Sequence, residues 1–397
     1  MRIKLGLLSA GLAALVAVSG APPASAGDSG GHSGDAATVV ASGLASPRGL
    51  AIRGGNLYIA QAGTGATDAS APCTEGPEGP ACLGATGKIS AMNLRTGTVR
   101  DLVTGLPSLG GQSDIPNAIG PSDVAVDGIG QVWATIGLGG IPSRARADLG
   151  DTPLVRMLGT EGKVRNGKFI VRGNPAEFEE ANNPDGVTDP VTGLPNPDSN
   201  PNSLVTTGGG SVMVADAGGN SLVNVHTRGN AEAVAIFPFK PTVMITVPDP
   251  TDPTKTIQVP IDPQPVPASI TRGADGTFYI GELTGFPFVP GTAAVWKWRP
   301  GQAPSIVRGD FTNIIDVAVM KSGDLLVLEI AANGLLASPP PPEGALFMLS
   351  KDGSTKTQLD VGTLTAPGGM ALDGDTLYIS NHSTEKGKGE ILRVKLG

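Results

Sequence analysis

The sequence predicts an all-β protein, a six-bladed β-propeller with four strands per blade, and three observations lead there. Glycine (58) and proline (35) make up nearly a quarter of the 397 residues, against roughly 12% in average usage, and both serve turns while interrupting helices. A short motif of β-formers recurs six times along the chain. The last repeat lacks a strand that the N-terminus supplies, as closure of a ring requires.

The repeat is clearest in the second strand of each unit: Leu57-Tyr58-Ile59-Ala60, Val132-Trp133-Ala134-Thr135, Val212-Met213-Val214-Ala215, Phe278-Tyr279-Ile280-Gly281, Leu325-Leu326-Val327-Leu328 and Leu377-Tyr378-Ile379-Ser380. Successive spacings are 75, 80, 66, 47 and 52 residues, so the bare unit is about fifty and the earlier units carry insertions. Ten or eleven residues upstream lies a first strand, with Pro47, Pro121, Pro201, Pro267 or Pro367 near its start and Ile314 in the fifth unit. Tight-turn residues such as Gly54-Gly55-Asn56 and Ser322-Gly323-Asp324 join the two.

Third strands are expected at Ile89–Met92, Leu154–Met157, Leu222–Val225, Val295–Trp298, Leu346–Leu349 and Ile391–Val394. Fourth strands follow at Asp101–Val103, Phe169–Val171, Ala233–Phe237, Ser305–Val307 and Thr357–Val361. The sixth unit stops after its third strand. Thr38-Val39-Val40-Ala41-Ser42-Gly43-Leu44 copies the pattern of Asp101-Leu102-Val103-Thr104-Gly105-Leu106, so the N-terminus completes that unit.

Residues 1–26 read as a signal peptide: Arg2 and Lys4, an apolar run from Leu5 to Val18, and Ala24-Ser25-Ala26 as the cleavage site. Its removal moves the formal charge from −8 to −10. Residues 27–37 form a flexible leader, and 38–397 a single propeller domain with insertions at 62–87, 174–201 and 238–267. The second insertion holds a short helix around Ala176–Ala181. The third holds two alternating runs, Val243–Val247 and Thr256–Val259, which predict a protruding hairpin. No later apolar run is long enough to span a bilayer. A secreted, monomeric protein without membrane contact is expected.

Cys73 and Cys82 are the only cysteines. In an oxidising compartment so close a pair reads as a disulfide pinching one surface loop, with free thiols as the alternative. Acidic balance and the lack of a Lys/Arg cluster exclude a basic nucleic-acid binder. A hydrophobic content of 40% against 16% charged residues excludes global disorder. With three histidines a multi-imidazole zinc site is excluded, and there is no Gly-x-Ser-x-Gly elbow and no phosphate loop.

Several stretches, in order, resemble the ScyD/ScyE family of exported bacterial proteins. They include Ser46-Pro47-Arg48-Gly49-Leu50, Gly120-Pro121-Ser122-Asp123, Glu180-Ala181-Asn182-Asn183-Pro184-Asp185-Gly186, Asp198-Ser199-Asn200-Pro201 and Val214-Ala215-Asp216-Ala217-Gly218-Gly219-Asn220. Gly281-Glu282-Leu283-Thr284-Gly285-Phe286-Pro287, Phe311-Thr312-Asn313-Ile314-Ile315-Asp316, Ala366-Pro367-Gly368-Gly369 and Ser380-Asn381-His382 continue the series. The departures are the Pro-rich insertion at 238–267 and Asn202, where an aromatic or small residue is expected. The resemblance implies an extracytoplasmic role in secondary metabolism and no defined chemistry.

In a propeller the inner strands line a channel and loops at one face form a binding funnel. Six equivalent positions follow the second strands: Gln61, Ile136, Asp216, Glu282, Glu329 and Asn381. Loops leading into the first strands add Arg48, Asp123, Asn202 and Asp316, and His382 stands near the same mouth. Four acids, Asp123, Asp216, Glu282 and Asp316, would suit calcium if they converge. Against that stands a turn-capping role for each. Asp198-Ser199-Asn200-Pro201-Asn202 mimics an EF-hand start but fails it, with Ser203 at the glycine position and Gly209 at position twelve. The expected function is binding of a small metabolite, glycan or partner protein at the funnel. The alternative is a calcium-dependent hydrolase or lactonase of the gluconolactonase-like type, with His382 or a carboxylate as base.

Overall fold

The computed structural model describes residues 37–76, 79–113, 117–189, 192–249, 252–336 and 340–396. The segments expected as a signal peptide (1–26) and, but for residue 37, as a leader (27–37) lie outside the described residues.

Strand β1 (Thr38–Leu44) comes first in the chain and last in the ring. Blade 1 comprises β2 (Pro47–Arg53), β3 (Asn56–Gln61), β5 (Gly79–Asn93) and β6 (Val99–Gly110), with β4 (Cys73–Gly76) paired to the start of β5. Blade 2 is β7 (Pro121–Val126), β8 (Val132–Ile136), β9 (Thr160–Arg165) and β10 (Lys168–Gly173). Blade 3 is β11 (Pro201–Gly208), β12 (Ser211–Asp216), β13 (Ser221–Val225) and β14 (Ala231–Ile236). The hairpin β15 (Val243–Asp249) and β16 (Asp252–Ile261) makes its own two-stranded sheet, as the alternating runs predict. Blade 4 is β17 (Pro267–Arg272), β18 (Phe278–Glu282), β19 (Ala293–Trp298) and β20 (Ser305–Phe311). Blade 5 is β21 (Ile314–Val319), β22 (Leu325–Glu329), β23 (Ala345–Leu349) and β24 (Lys356–Leu359). Blade 6 is β25 (Gly369–Asp373), β26 (Thr376–Asn381), β27 (Gly389–Lys395) and β1, which runs antiparallel to β27 from Thr38↔Arg393 to Leu44↔Gly389. The clasp closes the ring.

The apolar core is distributed between blades. One cluster holds Ala60 and Ile89 together with Ala134, a second Trp133 with Val214 and Val223, and a third Ala215 with Ile280 and Trp296. Further clusters hold Val295 with Val327, Leu328 with Ile379, and Ile59 with Tyr378. Each group joins two neighbouring blades, and the last joins blade 6 to blade 1. Burying one Leu or Ile side chain is worth about 1.5–3 kcal/mol, so the ring is held by the faces that successive blades present to each other.

Two elements differ from the expectation. Leu154–Met157 does not form the third strand of blade 2; Val155–Met157 is a single 3-10 turn, and the strand is the more polar Thr160–Arg165. Val155 and Leu158 instead fill the core between blades 1 and 2, which accounts for their apolar character. A helix not expected there, α1 (Pro142–Leu149), has proline in its first turn and buries Ala145 and Leu149 in the same core. The helix α2 (Pro175–Asn182) does fall in the 174–201 insertion, and Asn174 caps it by accepting the Glu177 N–H at 3.0 Å.

Candidate functional site

In an antiparallel four-stranded blade, the connection from strand two to strand three and the connection to the next blade emerge on the same side. The long connections therefore share one face, among them the disulfide-bearing hairpin of β4 and β5, α1, α2 and the β15–β16 hairpin. The opposite face carries short turns, such as Gly54–Gly55 and residues 166–167. The Cys73–Cys82 disulfide ties β4 to β5, and Thr74 Oγ1 donates to Asp148 Oδ2 at 2.7 Å, fastening that hairpin to α1. Between them lies a cavity of about 230 Å³ whose lining includes Leu109, Ile119, Leu138, Arg144 and Asp198.

The polar residues after the second strands have a repeated local use. Gln61 Oε1 accepts the Ala45 N–H at 2.8 Å, and Asp216 Oδ1 the Asn200 N–H at 2.7 Å. Glu329 Oε1 accepts the Thr312 N–H and Asn381 Oδ1 the Thr365 N–H, both at 2.7 Å. Each carbonyl or carboxylate thus holds the loop leading into its own blade's first strand. Ile136 stands at the equivalent place opposite Pro121 without a polar group. Glu282 differs from the other acids: Lys240 donates to its Oε2, Trp296 Nε1 does so at 3.2 Å, and Lys240 lies over the Trp296 ring. This pair, with Glu282 buried and Lys240 partly buried, anchors the base of the Pro-rich hairpin. Burial pushes Glu329 up to about 7 and raises Glu282, the latter against the opposing pull of Lys240.

Residues of the first strands reach sideways to the next blade. Arg48 Nη2 donates to Asn117 Oδ1 at 3.1 Å and Ala118 O at 3.0 Å, in the loop before blade 2. Asn202 Nδ2 donates to Ala268 O of blade 4 at 2.6 Å. Asp123 of blade 2 accepts the Ser203 hydroxyl at 2.7 Å and the Leu204 N–H at 3.0 Å from blade 3. Ser203 Oγ accepts the Ile270 N–H of blade 4 at 3.2 Å, and Asp316 Oδ2 the Met370 N–H of blade 6 at 2.7 Å. Blades 2 and 5 lie opposite each other in a ring of six, so Asp123 and Asp316 face across the channel. Burial first, and then the charge of Asp123, push Asp316 up to about 8; burial pushes Asp123 up to about 6.

The four acids expected to share one mouth are therefore not brought together. Asp123 and Asp316 lie on the channel, Glu282 pairs with Lys240, and Asp216 caps the loop before β11. Among the described residues no three or more His, Cys, Asp or Glu side chains form a ready-made metal shell.

His382 has a left-handed φ of 54° and its N–H donates to Thr365 O at 2.8 Å. Its Nδ1 meets Glu385 Oε2, and Nε2 lies 3.8 Å from Glu390 Oε1. Burial would raise Glu385, but its bonds to His382 and Lys388 hold it below the ordinary carboxylate range.

Sequence reasoning missed a second acidic group at the junction of α2 with blade 3. Asp216 gathers there with Glu179, Asp185 and Asp198. Burial, then Asp185, Asp216 and Asp198 in turn, push Glu179 up to about 9; burial, then Asp216 and Asp185, push Asp198 up to about 6. The available signal was the run of Asp and Asn in three of the stretches that carry the family resemblance.

No protein-family model and no curated protein matches the sequence. Solved structures do match in shape. A structural genomics protein of unknown function from Bacteroides thetaiotaomicron superposes with a TM-score of 0.50 at 11% identity, over 91% of this chain and 72% of that one. A gluconolactonase from Xanthomonas campestris gives 0.48 at 10% identity, over 90% and 89% of the two chains. A streptogramin B lyase gives 0.45 at 13% identity, over 89% and 95%. At such identities the likeness is one of fold alone. The chain is a six-bladed β-propeller whose blades are joined through their inner-strand side chains.

Proposed function

We propose that this protein is an exported, non-enzymatic propeller that binds a small metabolite, a glycan or a partner protein at the funnel of its loop-bearing face. The resemblance to the ScyD/ScyE family gives the setting, secondary metabolism outside the cytoplasm. One observation carries the reading: every long connection emerges on one face while the other is closed by short turns. Binding surfaces concentrate on variable loops held by a rigid frame. Export is supported by the leader-like residues 1–26 and by the Cys73–Cys82 disulfide, which persists in oxidising compartments. Among the described residues no helix is long and apolar enough to cross a membrane.

Binding is favoured over catalysis because the polar side chains nearest the axis already hold loops or neighbouring blades. The lactonase alternative is tested by incubating the protein with glucono-δ-lactone, with and without millimolar calcium. No hydrolysis above the buffer rate is expected. Turnover that scales with protein and disappears in His382→Ala would overturn the binding reading. A glycan array and a small-metabolite panel, read by amide hydrogen exchange, should show protection in residues 62–87, 137–159 or 174–200. Protection confined to the turns of the opposite face would contradict the assignment.

A further inference from the structure

Segments distant in sequence meet where α2 joins blade 3. Glu179 lies near the end of α2, Asn183 and Asp185 just beyond it, Asp198 before β11, and Asp216 at the end of β12. Asp216 is fully engaged: Oδ1 accepts the N–H groups of Asn200 at 2.7 Å and Gly219 at 3.1 Å, and Oδ2 the Ser199 hydroxyl at 2.6 Å. Asp185 accepts the Val187 N–H at 3.0 Å and the Asn220 amide at 2.8 Å. Glu179 is different. It is 0% exposed, and neither carboxylate oxygen has a hydrogen-bond partner. Asp198 Oδ1 and Asn183 Oδ1 are also buried without one.

The Glu179 carboxylate is aimed into the group. A Cβ on Gly219 would stand 2.6 Å from Glu179 Oε2 and 3.3 Å from Asp216 Cγ, so only a glycine separates the two acids. The charged neighbours of Glu179 are all acidic. A buried carboxylate without donor or counter-charge is strongly unfavourable, and the usual remedies are a partner or a metal ion. Here the partnerless atoms are all oxygens, from two carboxylates and one amide. Such hard donors in an irregular arrangement suit calcium, which accepts amide and water oxygens to complete its shell. Among the described residues no three acids form a ready-made shell, so neutral oxygens, water among them, must supply most of the ion's ligands.

We propose that Glu179 and Asp198, which carry partnerless oxygens and lie beside Gly219 and Gly218, bind a calcium ion that pins the α2 insertion to blade 3, with Asp216 and Asp185 adding negative field behind them. Asp198 also lines the cavity beside α1, which gives the ion a route from solvent. The site is distinct from the channel and does not depend on what the funnel binds.

The test uses the full secreted chain, stripped with chelator and melted in chelator, millimolar calcium or millimolar magnesium. Calcium should raise the melting temperature, since an ion bound only by the folded state stabilises it, and magnesium should do so less. In Glu179→Gln the calcium-induced shift should vanish or need at least tenfold more calcium. In chelator the variant should melt at or above the wild-type temperature, because a repelled charge is gone. Asp198→Asn, read the same way by calorimetric calcium titration, serves if Glu179→Gln does not fold. No calcium shift in the wild-type chain, or an undiminished shift in both variants, would overturn the site and leave the carboxyls neutralised by protons.

Discussion

Asp123 on blade 2 accepts the Ser203 hydroxyl of blade 3 at 2.7 Å, and Ser203 in turn accepts the Ile270 N–H of blade 4 at 3.2 Å. One position of the inner strand thus links three successive blades. The same position is Asp316 in blade 5, bonded to Met370 of blade 6, and glycine in blades 6 and 1. There the backbones approach too closely for a side chain.

That crowding gives a prediction at Gly49. A Cβ there would stand 1.9 Å from Asp123 Oδ1 and 2.8 Å from Asp123 Cα, so Gly49→Ala pushes the inner strands of blades 1 and 2 apart. We expect a loss of about 3 kcal/mol or more in denaturant unfolding. Gly128→Ala, where nothing lies within 4 Å, should change stability by less than about 1 kcal/mol.

Closure of the ring predicts sharply different truncations. A chain beginning at Ala37 should melt like the wild type. One beginning at Ala45 loses β1, exposes the edge of β27 and uncovers the core that Leu44 completes. We expect a destabilisation on the order of 5 kcal/mol and self-association through the bare edge, seen by melting and size-exclusion chromatography. Equal melting of the two chains would mean that the clasp contributes nothing.

Asp316 sets a pH dependence. Its folded pKa, pushed up to about 8, lies above the roughly 3.9 of an unfolded aspartate. Between those values the folded state binds the extra proton, so stability falls as pH rises. The Asp316 contribution is complete below about pH 4 and lost by about pH 8. Melting temperatures measured from pH 5 to 9 should decline, and Asp316→Asn should decline less steeply. Parallel slopes would show that Asp316 titrates normally.

The fold was largely legible because the blade repeat keeps its β-formers and turns in order, even through the clasp, where Thr38–Leu44 copies the fourth-strand pattern. Blade 2 was the exception. Its apolar Leu154–Met157 marks a buried turn, while the strand itself carries Glu161 and Lys163 among small residues. Helix α1 was hidden because its Arg-rich exterior leaves few apolar positions to mark a period. The site was less legible for a different reason. The residue types at Gln61, Asp216, Glu329 and Asn381 fit a ligand ring and a set of loop caps equally well. What separates the two is side-chain direction, and the partner of Asp123 lies eighty residues downstream at Ser203. Glu179 was invisible as a charge on a short helix until the fold enclosed it.

The role that the hydrogen bonds of Asp123 and Asp316 give the channel acids is to join blades. Its most direct test is the melting temperature of Asp123→Asn beside the wild type at pH 7, each in chelator and in millimolar calcium. An asparagine must turn its NH₂ toward one of the N–H groups that Asp123 now receives, leaving a buried donor unpaired, at a cost of about 1–3 kcal/mol. The account predicts the same deficit in both conditions and an undiminished calcium shift. A variant as stable as the wild type in chelator, with a deficit that appears only when calcium is added, would contradict it.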